Sequence, residues 1–242
     1  MEKRGLAVCI SNAAVFLQYG ETKILIDGLY KDLGRNFSEL PEKVWESMRR
    51  GEGELSNIDY LLFTHSHYDH FYVPYLQEYL EHNEVKGLCL PPGERWRGKG
   101  HSLSFDEEGK IPLPEGITLR FLDVRHLDKQ FYDVVNRCFW VEIGKKHLLF
   151  LGDGDYQEEA FEKIRGLPVD TVFVTPIFYN NAKGRKILRE ILGVKKIVVY
   201  HLPFPEEDTL HYERMTRRDI EKYGEKDENV VLWNRTGQSI LF

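Results

Sequence analysis

An apolar run, Ile58–Thr64 (IDYLLFT), leads without a break into His65-Ser66-His67-Tyr68-Asp69-His70. Such a run is typical of a strand covered on both faces, so the chain needs a sheet with a layer on either side of it. Residues two apart on an extended chain point to the same side, so His65 and His67 can share one metal ion. A turn into a helix then swings Asp69 and His70 toward a neighbouring position. Four ligand-type side chains within six residues can therefore serve two adjacent metals. Imidazole and carboxylate suit zinc, iron or manganese rather than calcium. The bland alternative buries three histidines beside an aspartate at a strand end, and buried charge needs a partner.

This pattern resembles the first ligand motif, H-x-H-x-D-H after a buried strand, of the metallo-β-lactamase-fold metallohydrolases. Further segments extend the resemblance over essentially the whole chain: ILIDG ending in Asp27, FLDVRHLD with His126, LLFLGDGD with Asp153 and KKIVVYHLPF with His201. It implies an α+β fold, a four-layer αββα sandwich. It also implies His65, His67 and His126 on one metal, Asp69, His70 and His201 on a second, and Asp153 between them. Asp69 would also orient the attacking group, and Asp27 would support the histidine loop from behind. The implied activity is a metal-dependent hydrolase in which a metal-bridging hydroxide attacks a small ester, lactone or phosphoester. The implied cofactors are two divalent metal ions, with zinc expected ahead of manganese or iron. The compact length, the single His126 and the short KIVVYHLPF segment look closest to the branch containing L-ascorbate-6-phosphate lactonase.

Composition removes other classes. The 242 residues carry a net charge of −6, which argues against a nucleic-acid surface, because phosphate binding needs clustered Lys and Arg. No apolar stretch approaches the roughly 18 residues of a membrane helix. Ser11 and Asn12 interrupt the first apolar segment, which reads as a strand rather than a signal peptide. Cys9, Cys89 and Cys138 are too scattered for a disulfide framework and read as reduced, buried residues. A cytoplasmic protein acting on a small molecule is expected, with a homo-oligomer as an open arrangement.

The chain reads as one domain, 1–242. Strands are expected near 6–10, 13–19, 23–27, 58–64 and 87–90 in the first half. The second half adds 117–122, 138–143, 147–151, 171–175, 196–200, 229–233 and 238–242. Gly20-Glu21 and Gly144-Lys145 read as hairpin turns. Helices are expected at about 41–50, 73–81, 156–165, 183–192 and 210–223, and residues 91–116 read mostly as loop. The segment 29–57 is longer than the resemblance calls for and is read as a lid or oligomer insertion.

Tyr68 inside the ligand motif, Tyr179 after a strand end and His211 beyond the His201 loop are candidate substrate contacts. Asp155 is a weaker rival to Asp153. Asn180 or Asn181 reads equally well as a helix cap. Two other activities fit the ligand types: a mononuclear iron, sulfur-oxidising dioxygenase using His65, His126 and Asp153, and, less well, a nuclease. A non-enzymatic scaffold would be free to discard ligands, and all seven positions are kept.

Overall fold

The structure is a computed structural model that describes residues 3–32, 34, 37–106 and 109–242. Thirteen strands lie in two sheets among the described residues. The first sheet holds β1 (Gly5–Cys9), β2 (Val15–Tyr19), β3 (Thr22–Ile26), β4 (Tyr60–Leu62) and β5 (Gly87–Cys89). The second sheet begins with β6 (Lys110–Leu113), β7 (Ile117–Arg125), β8 (Val135–Ile143) and β9 (Lys146–Phe150). It continues with β10 (Thr171–Val174), β11 (Lys196–Val199) and β12 (Asn229–Leu232), while β13 (Ser239–Leu241) returns to the first sheet. The strand orders are β13-β1-β2-β3-β4-β5 and β12-β11-β10-β9-β8-β7-β6.

Each sheet is antiparallel on one side and parallel on the other. β3-β4-β5 and β9-β10-β11-β12 are the parallel runs. Both expected hairpins form. Tyr19 pairs with Thr22 and Ile143 with Lys146, each across two residues whose first is a glycine at positive φ (Gly20, 58°; Gly144, 60°). Such two-residue turns match strand twist only when φ is positive, which glycine supplies without strain.

Neighbouring residues on a strand face opposite ways, and the packing follows that alternation. Phe150, Phe173 and Val198 meet Leu17, Ile24 and Leu62 between the sheets. Their neighbours Leu149, Val172 and Ile197 pack outward on Phe161, Phe178 and Ile187. On the other outer face Leu25, Leu61 and Leu88 meet Trp45, Met48, Leu76 and Leu80. Trp45 and Met48 belong to α1 (Glu42–Arg49), and Leu76 and Leu80 to α2 (Val73–His82). Phe161 and Phe178 belong to α3 (Glu158–Phe161) and α4 (Pro176–Asn180). Ile187 starts the π-helical turn that continues α5 (Ala182–Lys186). Two sheets with a helical layer outside each make the four-layer sandwich.

Several boundaries differ from the sequence reading. β6 lies within the stretch read as loop and carries Pro112, which lacks a ladder donor; a proline is tolerated because β6 is the sheet edge. β8 begins at Val135 rather than Cys138, drawing in polar Asn136 and Arg137. The helix expected over 156–165 is one turn, α3, followed by a 3₁₀ turn. α4 was not expected; Pro176 opens it and the Thr175 hydroxyl accepts from Phe178 N–H at 3.2 Å. The segment 29–57 supplies α1 to the outer layer, with Trp45 stacked on Tyr75 at 3.9 Å. Leu33, Arg35 and Asn36 of that segment lie outside the described residues. α6 (Tyr212–Tyr223) is capped by Asp208, whose carboxylate accepts from the N–H groups of Tyr212 and Glu213 at 2.8 Å each. The three cysteines are free and buried. No described helix is long and apolar enough to cross a membrane.

Candidate metal centre

The candidate residues gather at the carboxyl ends of the parallel strands, where the loops leave the sheets and a cleft can open. Asp27 follows β3, His65 lies just beyond β4, Asp153 beyond β9 and His201 beyond β11. His126 follows β7 directly and is tied to the Asp153 loop by a bridge to Gly154 and by Leu127 N–H donating to Asp153 O at 2.8 Å.

After His65 the chain turns tightly, with His70 N–H and Phe71 N–H both donating to His67 O at 3.0 and 2.8 Å. That turn folds Asp69 and His70 back beside the two earlier histidines. It is braced by Asp27, which is fully buried at φ 50°. The Asp27 carboxylate accepts from Thr64 N–H at 2.8 Å and from the Thr64 hydroxyl at 2.7 Å, and its Oδ2 lies 2.9 Å from His70 Nδ1.

Three overlapping groups result, with potential ligand atoms within 4.8 Å of one another: His65–His67–His126, His65–His70–Asp153 and Asp69–His70–His201. Asp153 stands between the first and last. Its Oδ2 is 3.4 Å from His126 Nε2 and 3.6 Å from His70 Nε2, and its Oδ1 is 3.5 Å from His201 Nε2. All seven residues expected from the sequence thus meet in one cluster. His201 Nε2 and His70 Nε2 face each other at 2.8 Å.

Burial disfavours every charge here, and the neighbours decide the outcome. It pushes the His65 imidazole well below its usual range, with the His70 charge adding to the effect. Burial also opposes the His70 cation, but Asp153 and Asp27 outweigh it and hold the ring well above the usual value. Burial raises Asp153 too, yet His201 and His70 override that and hold the carboxyl well below the ordinary range.

The donor set fits a metal. His65 Nε2, His126 Nε2 and Asp153 Oδ1 are buried without a hydrogen-bond partner among the described residues. Buried polar atoms left this way are costly, and a divalent cation would satisfy all three. Asn136 holds the Asp153 backbone, its Oδ1 accepting from Asp153 N–H at 2.9 Å.

A cavity of about 380 Å³ opens onto the cluster. Beyond the candidate ligands its walls include Phe37, Asp128, Phe131, Thr175, Ile177, Leu202, Pro203 and Tyr212. The three expected substrate contacts lie outside the lining of this cavity. Tyr68 is 52% exposed with its ring toward Tyr72, outside the cavity lining. Tyr179 is buried in the apolar layer outside the second sheet. A helix turns about 100° per residue, so Ile177 at the start of α4 faces the cavity while Tyr179 does not. His211 lines a separate groove on α6 with Arg214 and Arg218, and its neighbour Tyr212 takes the place at the cavity. Asp155 is turned away, its Oδ2 accepting from Arg125 Nε at 2.5 Å. Asn181 caps α5, accepting from Lys183 N–H at 2.9 Å. Phe37, Phe131 and Ile177 were missed because an apolar residue in a loop or a single helical turn carries no periodic signal separating cavity wall from core.

The profile described as Metallo-beta-lactamase superfamily matches residues 7–128, half of the chain. The chain belongs to the metallo-beta-lactamase superfamily. No curated protein matches the sequence. Several solved structures share the fold of this superfamily member. An isothiocyanate hydrolase from Delia radicum gut bacteria superposes with TM-score 0.69 at 16% identity, over 98% of this chain and 99% of that one. YhfI from Bacillus subtilis, a metallo-beta-lactamase fold protein, gives 0.66 at 12% identity over 100% of each chain. CmlA, a diiron beta-hydroxylase from Streptomyces venezuelae, gives 0.61 at 15% identity over 100% of this chain. The chain spans 54% of CmlA, about half its length.

Proposed function

We propose that this chain is a binuclear metal-dependent hydrolase of small ester, lactone or phosphoester substrates. The observation that carries the reading is the Asp153 carboxylate, set within 3.6 Å of ring nitrogens from His70, His126 and His201 at the floor of the cavity. His65, His67 and His126 would hold one ion, Asp69, His70 and His201 the other, and Asp153 would contact both. Bound there, the metals would supply Lewis-acid polarisation of a carbonyl or phosphoryl oxygen and a water acidic enough to react at neutral pH. Zinc is the first assignment, because nitrogen and carboxylate donors suit it.

The chain's own groups do the rest. Asp69 lines the cavity, where its carboxylate accepts a hydrogen bond from the attacking water and orients it. Asp27 and Thr64 keep the His70 ring oriented from behind. Phe37 and Phe131 narrow the approach and exclude bulk water.

Elemental analysis of untagged protein purified without added metal tests this, followed by assay on carboxylic esters, lactones and phosphodiesters. About two equivalents of zinc or manganese per chain, with hydrolysis lost in Asp153→Ala, is the expected result. One equivalent of iron without hydrolysis would put the mononuclear iron oxygenase ahead. Protein that neither holds nor takes up metal would end the catalytic reading.

A further inference from the structure

We propose that the cleft selects an uncharged carboxylic ester or lactone with an apolar acyl chain, seated on the wall formed by Phe131, Ile177 and Tyr212. The inference rests on the hydrolytic reading of the centre and narrows its substrate.

Two aromatic rings cover the histidine cluster from either side. Phe37 stands edge-on to His201 with ring centroids 4.7 Å apart, and Phe131 stands edge-on to His67 at 4.5 Å and to His126 at 5.5 Å. Ile177, Leu202 and Pro203 add to the apolar lining of the same cavity. That surface does not stop at the mouth. Ile177 is 58% exposed and Tyr212 37%, and Met215, one turn along α6 from Tyr212, is 44% exposed. Large apolar side chains left in water next to a reactive cleft are informative, because they gain most when a ligand covers them.

Outside the histidine–aspartate cluster, the polar side chains of the described lining are Asp128, Thr175 and Tyr212. Asp128 is a carboxylate, and it repels an anionic substrate. The Thr175 hydroxyl already accepts from Phe178 N–H. Beyond what bound metals would contribute, recognition of a phosphate relies on guanidinium or ammonium groups, or on free backbone donors, and these side chains supply none. The proposal therefore departs from the phosphorylated lactone that the sequence resemblance implies. In the reaction the acyl C–O bond breaks and the oxygen of water bonds to the acyl carbon. The alcohol oxygen takes one proton of that water, and the acid is released as carboxylate with the other proton passing to solvent.

The test uses the metal-loaded full chain with p-nitrophenyl acetate, butyrate and hexanoate, and with bis(p-nitrophenyl) phosphate. Calorimetric binding of the neutral probe N-methylhexanamide, which carries the apolar chain on its acyl side, to the metal-free protein runs alongside. Expected are a kcat/KM rising about tenfold from acetate to hexanoate, as partial burial of four methylenes allows, and poorer turnover of the phosphodiester. Ile177→Ser, a surface change that leaves the core intact, should flatten that rise and weaken the probe. A flat ester series, or a phosphodiester turned over as well as hexanoate, would overturn the proposal while leaving the hydrolase reading in place. If nothing is hydrolysed, the probe decides. Binding that Ile177→Ser weakens keeps the apolar site and sinks the hydrolase, whereas no binding sinks the site as well.

Discussion

Asp27 Oδ2 lies 2.9 Å from His70 Nδ1, and both side chains are wholly enclosed. Because Nδ1 is engaged from behind, the opposite nitrogen is aimed into the cluster, toward Asp153 and His201. A carboxylate in this position fixes the ring and raises its basicity as a ligand. Asp27→Asn should therefore weaken zinc affinity by roughly 10–100-fold, read by competition with a chromophoric chelator. Unchanged affinity in a folded variant would remove Asp27 from the machinery.

Metal should also stabilise the fold. Several buried ring nitrogens and carboxylate oxygens converge on one volume, and a ligand that binds only the native state adds free energy by mass action. At free zinc one hundredfold above its dissociation constant the gain is about 2.7 kcal/mol. For a chain of this size that corresponds to a rise in Tm of roughly 5–10 °C. Asp153→Ala should lose most of that increment whatever its own starting Tm. A scanning-calorimetry series with and without zinc measures the difference, and an equal rise in both proteins would contradict the assignment of Asp153.

The His65–His70 run was legible in the sequence because it follows an apolar strand, and a strand end fixes where the next side chains go; His126, Asp153 and His201 came from the family resemblance. In the structure His65, Asp153 and His201 all lie beyond a strand end, and Asp27 does so one layer behind them. The cavity walls were not legible. Phe131 ends a three-residue 3₁₀ turn, Lys129–Phe131, and Ile177 and Tyr179 differ only by their phase on a five-residue helix, too short for either to show a period. Likewise, Pro112 hid β6, since a proline argues against a strand until the strand is known to be an edge. Local pattern reports what an element is; which side of it meets the cleft depends on packing between segments far apart in the chain.

Gly152 links the strand before Asp153 to the histidine loop. Its φ is 53°, and an added Cβ would lie 2.6 Å from Asn136 Oδ1 and 2.9 Å from Thr64 Cβ. Asn136 holds the Asp153 backbone and Thr64 holds Asp27, so the clash falls on both supports of the centre. Gly152→Ala combines a left-handed backbone with overpacking and should cost about 2–4 kcal/mol in urea unfolding. It should also lower zinc stoichiometry in the folded fraction. A variant as stable as the parent would show that the loop relaxes freely here.

Far from the cleft, Glu228 ties the start of β12 to the helical layer. Its oxygens accept from Arg189 Nε at 2.6 Å and Nη2 at 3.0 Å, and Arg189 Nη2 also donates to Tyr223 O at 2.6 Å. The Glu228 side chain is 1% exposed. Burial alone would raise its carboxyl, but the Arg189 guanidinium outweighs that and holds it below the ordinary value of 4.5. A folded-state pKa below the unfolded one means that the native state binds fewer protons there. The contribution is therefore complete above about pH 4.5 and is lost as pH falls through the depressed value. Glu228→Gln should cost about 1–3 kcal/mol at pH 7, the range for hydrogen bonds to a charged group. The gap between parent and variant should close as urea titrations are repeated at pH 5, 4 and 3. A gap that stays constant down to pH 3 would mean that the carboxylate's charge is not what holds Arg189.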